Sequence, residues 1–196
     1  MYAIDQRIFW AILEATHDDA GSPQEQKKLI KGHLSSFKIE ALANFISLYK
    51  KFVYKLYNSN TWAAAFATLN GCSTKELEAF IGWIISQGEQ VYLKAIDNPD
   101  SIYTILENHS IQDYNINRGY VPLMNLELIA HDILMHKVSF KHYEIPIEIQ
   151  QLLAKISSIS YPALTREWDE NNPETLRAIV PLLVNAYFDV DFWKLD

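Results

Sequence analysis

The chain has 196 residues, of which 49% are hydrophobic and 21% are charged, and its formal net charge is −7. This composition is typical of a globular protein and excludes a disordered chain. The length is sufficient for one continuous core, so residues 1–196 are predicted to form a single domain. An acidic chain repels a phosphate backbone, and we therefore expect no direct binding to nucleic acid.

The cysteine content and the hydrophobic runs indicate the cellular compartment of the protein. Cys72 is the single cysteine in the sequence, so no disulfide forms within the chain. The first residues lack the pattern of an export signal. The most apolar stretches, 62–69 and 179–188, are far shorter than the roughly 20 residues that cross a bilayer. We expect a soluble cytoplasmic protein that does not bind membranes.

Helix caps and apolar spacing predict the first two helices. Asp5 is expected to cap a helix that ends near residue 16. Ser22 and Glu25, with a proline between them, are expected to begin a second helix that ends near residue 35.

The strongest periodic signal predicts a long helix over residues 39–57. Lys50, Lys51 and Lys55 lie near its end, where their charges complement the negative end of the helix dipole. A local basic patch is the alternative interpretation of these three lysines.

Two shorter helices are predicted to follow. Asn60 is expected to cap the first, and the Asn70-Gly71 pair is expected to close it, because both residues tolerate a left-handed turn. Ser73 and Glu76 have the spacing of a capping box and predict the start of the next helix.

The second half of the chain is less periodic. Residues 98–101 are predicted to form a turn followed by a new helix start, and residues 111–121 a loop. A helix is expected over 125–138, and Pro146 is expected to open another.

The last part of the chain combines an acidic loop with further helix signals. The loop is predicted over 165–173, with a helix beginning at Pro173 that Pro181 should bend or end. The whole pattern predicts an all-α fold, an irregular single-domain helical bundle. It is also compatible with a small β-hairpin in the second half.

Several short motifs of the first half follow one another in the order of a known family. They are Phe9-Trp10, Trp62-Ala63-Ala64-Ala65, Asn70-Gly71-Cys72-Ser73, Trp83-Ile84-Ile85 and Pro99-Asp100-Ser101. In this order the sequence resembles the bacterial domain of unknown function 4240 family. The family pattern usually has a second glycine where this chain has Asn70. The resemblance implies a small bacterial protein, sometimes fused or adjacent to a WGR module, and implies no catalytic residues.

Cys72 is one candidate catalytic residue. It lies just before a predicted helix start, where the helix dipole lowers the pKa of a thiol and favours a nucleophilic thiolate. Alternatively, Cys72 is a small apolar residue packed beneath the Asn70-Gly71 turn.

His131 and His136 are the other catalytic candidates. Helical spacing places Glu127 beside His131 and Asp132 beside His136. The two histidines are about 140° apart around the helix, so we expect no shared metal ion. The alternative is that they are surface histidines or core histidines with satisfied hydrogen bonds. No cofactor motif occurs in the sequence, and no cofactor is predicted.

Four tryptophans are candidate binding residues: Trp62, Trp83, Trp168 and Trp193. Trp168 lies in the acidic loop, where an aromatic side chain either forms an interface or covers the core. Trp193 near the C-terminus either packs on its own domain or contacts a partner.

These features favour a non-enzymatic interaction module whose acidic surface captures a basic protein partner. The alternative is a small enzyme or ligand binder with a site between helices, using Cys72, Trp62, Trp83 or the acid-histidine pairs. A third hypothesis, an accessory to nucleic-acid-associated modules, rests only on the family context.

Overall fold

The computed structural model describes residues 4–108, 124–140 and 147–189. Within these ranges the chain is mainly helical and contains no strand, which confirms the predicted all-α fold. The small β-hairpin does not occur in the described part of the second half, and the loop predicted over 111–121 lies outside it. The helices are α1 (Gln6–Asp19), α2 (Pro23–Ser35), α3 (Ile39–Leu56), α4 (Ser59–Leu69), α5 (Thr74–Ser86), α6 (Glu89–Asp97), a 3₁₀ helix (Pro99–Ile102), α7 (Tyr103–Asn108), α8 (Leu126–Phe140), α9 (Ile147–Ser157), α10 (Pro173–Arg177) and α11 (Pro181–Tyr187).

Three helices begin at the predicted caps. The Asp5 carboxylate accepts the Ile8 amide at 2.8 Å, and the Ser22 hydroxyl oxygen accepts the Glu25 amide at 3.2 Å. Ser73 and the third helical residue of α5 form a reciprocal capping box. Each cap satisfies amides that have no partner inside the helix. Because each cap joins residues only three positions apart, it can be predicted from the sequence.

The predicted cap of α4 is wrong by two residues. Asn58, and not Asn60, caps the helix, and its side-chain oxygen accepts the Thr61 amide at 3.0 Å. This start makes Ser59 the first helical residue, and Ser59 is buried against a distant segment of the chain. A tertiary contact therefore decides between two asparagines that are locally equivalent.

Helix α3 lies at the centre of the fold. It packs against α8, α9, α5 and α1. Its buried stripe is the one predicted from helical spacing, and includes Leu42, Phe45, Ile46, Tyr49, Phe52, Val53 and Leu56. A ring cluster of Phe9, Trp10, Phe52 and Tyr92 joins α1, α3 and α6, with neighbouring centroids 4.6 to 5.2 Å apart. None of the described helices combines the length and apolar character of a membrane span.

Asn70 ties the end of α4 to the end of α11. Its backbone is left-handed, with φ of 53°, as the sequence predicted for this turn. The side-chain amide donates to the Tyr187 carbonyl at 3.0 Å, and the side-chain oxygen accepts the Asp189 amide at 2.7 Å. One side chain thus satisfies two backbone groups more than a hundred residues away.

Pro181 begins a helix, which corrects the prediction that it bends or ends one. The helix that starts at Pro173 already ends at Arg177, and Pro181 is the first residue of α11. Proline has no amide hydrogen to lose at this position. The buried Asp100 carboxylate accepts the next two amides, those of Leu182 and Leu183, at 3.0 Å each.

Candidate functional site

Cys72 lies at the turn between α4 and α5, and its thiol donates weakly to the Ser73 carbonyl at 3.4 Å. Burial, and secondarily the Glu76 carboxylate, raise the pKa of the Cys72 thiol to about 12. The predicted lowering of this pKa is wrong, because desolvation and the capping carboxylate outweigh the helix dipole. Within the described residues, the hydrogen bonds of Cys72 include neither His131 nor His136.

His131 and His136 are both exposed on α8. His136 lines two surface cavities beside α2 and the start of α3. In residues 4–108, 124–140 and 147–189, no group of three His, Cys, Asp or Glu side chains is placed to hold a metal ion.

The four candidate tryptophans separate into different environments. Trp83 is fully buried beside Phe80, with centroids 5.6 Å apart, so its ring belongs to the core. Trp193 lies outside the described residues. Trp62 and Trp168, which are distant in sequence, come together with a centroid distance of 5.9 Å and an interplanar angle of 82°. We call these two perpendicular rings the Trp62–Trp168 corner.

Hydrogen bonds to Ser59 position this corner. The Trp168 indole donates to the Ser59 carbonyl at 3.1 Å, and the Glu167 amide donates to the Ser59 hydroxyl at 2.8 Å. Trp62 lies almost one turn further along α4, and its indole donates to the Cys72 carbonyl at 2.9 Å. Both rings are therefore held at their polar edges. Trp168 is only 6% exposed, which agrees with the interpretation that it covers the core.

Arg166 occupies the Trp62–Trp168 corner. Its guanidinium carbon lies 5.1 Å from the centroid of Trp62 and 5.5 Å from that of Trp168, within cation–π range of both rings. Arg166 also forms an ion pair with Glu170, in which both side chains are more than a third exposed. The corner therefore holds a flat cation, the guanidinium of Arg166, close to two aromatic rings.

The acidic loop predicted over 165–173 contributes Arg166 and Trp168 to this corner. Glu167 and Asp169 are exposed on either side of Trp168. Their carboxylates favour the approach of a positive group and disfavour a negative one.

A second cluster, which the sequence did not predict, joins α3, α5 and α8. Lys50 and Glu127 form an ion pair at 3.3 Å. Lys50 thus interacts with a carboxylate of another helix in addition to the dipole of its own helix. Burial, and then the negative charge of Glu127, raise the pKa of the half-buried Glu78, while Lys50 and Lys75 oppose the shift. The negative charge of one carboxylate thus raises the pKa of the other within this cluster.

Tyrosines border the Glu78 and Glu127 cluster. Tyr57 and Tyr161 stack with centroids 4.9 Å apart. Burial and the charges of Glu127 and Glu78 raise the pKa of the Tyr161 hydroxyl, which therefore stays neutral. The sequence predicts for Glu127 only that it lies beside His131 on the same helix. No local signal connects it with Glu78 and Tyr161, which are brought to it by helix packing.

A protein-family model matches the larger part of the chain. The family model described as "Protein of unknown function (DUF4240)" matches residues 4–133, which contain α1 to α7 and the first half of α8. Neither the curated proteins nor the solved structures give a significant match. The match includes Trp62 and ends before Arg166 and Trp168. Because it covers more than half of the chain, this protein belongs to the DUF4240 family.

Proposed function

We propose that the protein is a non-enzymatic interaction module that captures a basic protein partner by an arginine side chain at the Trp62–Trp168 corner. The observation that carries this proposal is the position of Arg166, whose guanidinium lies over both rings. A partner's arginine would find the same two ring faces and the same carboxylates.

The overall charge supports a basic partner. The chain has 24 acidic residues against 17 lysines and arginines. Acidic proteins attract basic ones over several ångströms in dilute salt, which speeds encounter before any contact forms. We therefore expect the association rate to fall as the salt concentration rises.

The corner favours arginine over lysine because of its shape. A planar guanidinium stacks on an aromatic face and pairs with a carboxylate at the same time, whereas an ammonium is a compact, strongly hydrated charge. The bond that holds Arg166 from the solvent side is an exposed ion pair with Glu170, and such pairs contribute about 0–1 kcal/mol. Exchange of Arg166 for a partner's arginine is therefore energetically accessible.

The test uses two nine-residue peptides, one of alternating arginine and glycine and one of alternating lysine and glycine. Indole N–H resonances of Trp62 and Trp168 report binding by NMR. We expect the arginine peptide to shift both resonances and to bind more tightly than the lysine peptide. Arg166→Ala should tighten arginine-peptide binding about threefold to tenfold, because the internal competitor is gone.

Arg177→Ala is the matched control. Arg177 also pairs with a nearby glutamate, Glu174, at 3.5 Å, and its removal changes the net charge equally. A gain in affinity that is no larger for Arg166→Ala than for Arg177→Ala would contradict the proposal. Equal affinity for the arginine and lysine peptides would contradict it as well.

A cytoplasmic location is part of this proposal. The single cysteine supports it, because proteins of reducing compartments do not depend on disulfides. Fractionation of the native host should recover the protein with cytoplasmic markers, and recovery with an exported fraction would contradict this location.

The Glu78 and Glu127 cluster favours a second candidate function, a small enzyme or ligand binder. Its support is the raised pKa of Glu78 beside a second carboxylate. A thermal-shift screen of metabolites should then find a compound that stabilises the protein but not the Glu78→Gln variant. A compound that stabilises both equally would place binding elsewhere.

A further inference from the structure

The positive charge of this acidic protein is concentrated in α2, α3 and the residues between them. Residues 23–56 contain seven lysines and two glutamates, a net charge of +5, in a chain whose net charge is −7. The lysines are Lys27, Lys28, Lys31, Lys38, Lys50, Lys51 and Lys55. Acidic and basic residues are thus segregated along the chain, and the two kinds of surface suit different ligands.

Two cavities lie where the end of α2 and the start of α3 meet the last turns of α8. The first, of about 440 Å³, is lined by Lys31, Ser35, Asp132, Ile133, His136 and Lys137. The second, of about 580 Å³, is lined by Ser36, Phe37, Lys38, Ile39, Glu40, His136 and Lys137. Because the two cavities share His136 and Lys137, they form one groove, which we call the α2–α8 groove.

Hydrogen bonding fixes one lysine in the middle of this groove. The Lys137 ammonium donates to the Ser35 carbonyl at 2.7 Å. An ammonium has three donors, so the Lys137 ammonium can also donate to a ligand while it keeps this bond. Lys31 lines the first cavity and Lys38 lines the second, and both are exposed, so the groove has three lysines.

Two carboxylates also line the groove, one in each cavity. They are Asp132 and Glu40, and Asp132 is four residues before His136 on α8. Three lysines against two carboxylates leave the groove positive. The charge balance therefore favours an anion in either cavity, since each has two lysines, one of them the shared Lys137, against one carboxylate.

We propose that the α2–α8 groove binds a phosphorylated small molecule, with the phosphate groups between Lys38 and Lys137 and an apolar part against the half-buried Phe37. Cavities of roughly 300–1,000 Å³ are typical of small-molecule sites. Lysine ammonium groups are common ligands of phosphate. This site is independent of the Trp62–Trp168 corner, since the two share no residue.

Calorimetric titration with inorganic pyrophosphate tests the proposal. We expect saturable binding of one pyrophosphate per chain in about 50 mM salt, weakened by added salt. The double variant Lys31→Ala/Lys38→Ala should weaken binding about tenfold, because two of the three lysines are lost. Asp132→Asn should tighten binding, which a nonspecific loss of structure would not do.

Lys51→Ala is the matched control. Lys51 is exposed on α3 and belongs to the same basic region, but it does not line the groove. Its removal should change pyrophosphate affinity by less than about twofold. Absence of saturable binding would overturn the proposal. It would also be overturned if Lys51→Ala lost as much pyrophosphate affinity as the double variant loses for each lysine removed. A ten-nucleotide single strand is the second probe. If it binds more tightly than pyrophosphate, and if Lys51→Ala weakens its binding, the surface binds nucleic acid and the proposal is overturned.

Discussion

Gly82 of α5 lies directly against the backbone carbonyl of Met124. A Cβ atom added at Gly82 would be 1.8 Å from that oxygen and 2.8 Å from the Tyr49 hydroxyl. The Met124 amide also donates to the Ala79 carbonyl on the same helix at 3.1 Å. Helix α5 and the chain that enters α8 are therefore packed at backbone distance.

Gly82→Ala should destabilise the protein by about 3 kcal/mol, because backbone atoms cannot move aside as a flexible side chain can. Gly32→Ala is the control, since nothing lies within 4 Å of a Cβ atom at this exposed position of α2. It should stabilise by about 0.5–1 kcal/mol through helix propensity. Urea unfolding measures both, and equal effects of the two changes would refute the close packing.

Asn70→Gly should cost about 1–2 kcal/mol, although glycine tolerates the left-handed backbone of this position. The loss comes from the two hydrogen bonds to the Tyr187 carbonyl and the Asp189 amide. Asn70→Ala should cost about 1 kcal/mol more, because it also strains the backbone. Thermal unfolding of both variants separates the two contributions. A glycine variant as stable as the natural protein would show that the side-chain bonds contribute nothing.

Asp100→Ala should destabilise by about 2 kcal/mol, because the amides of Leu182 and Leu183 lose their acceptor at the start of α11. Asp100→Asn should restore little of this stability, because the asparagine NH2 group is itself a donor and would face one of the two backbone amides. Asp97→Ala, at an exposed position nearby in sequence, is the control and should be nearly neutral. Hydrogen exchange of the two amides should accelerate in Asp100→Ala alone.

Cys72 should react slowly with iodoacetamide. With a pKa of about 12, only about one thiol in ten thousand is ionised at pH 8, and the thiolate is the reactive form. The rate should rise about tenfold per pH unit between pH 8 and 10, where a free cysteine, with a pKa near 8.5, already levels off. Mass spectrometry follows the labelling, with Cys72→Ser as the blank. A rate that levels off near pH 9 would show an ordinary thiol.

The predictability of these features depends on how far apart the interacting residues lie in sequence. The caps at Asp5, Ser22 and Ser73 act over three residues, so a single sequence reveals them. The choice of Asn58 over Asn60 depends on Ser59 meeting residues 167–168, and no local pattern contains that contact. The role of Asp100 as a distant cap is hidden for the same reason.

The candidate sites show the same limit. Trp62 and Trp168 are each recognisable as unusual side chains, but their perpendicular pairing and the guanidinium of Arg166 between them arise only when α4 meets the later loop. Likewise, the pKa of Cys72 depends on burial, which its position before a helix does not reveal.

The link from Asn70 to the end of α11 has a consequence for folding during synthesis. Phe66 on the same helix packs against Trp168 and Phe188, at centroid distances of 4.8 and 5.9 Å. Helix α4 is therefore translated more than a hundred residues before the side chains that cover it. Until those residues leave the ribosome, one side of α4 is exposed to water and to chaperones. The fold can therefore be completed only after the second half has been translated.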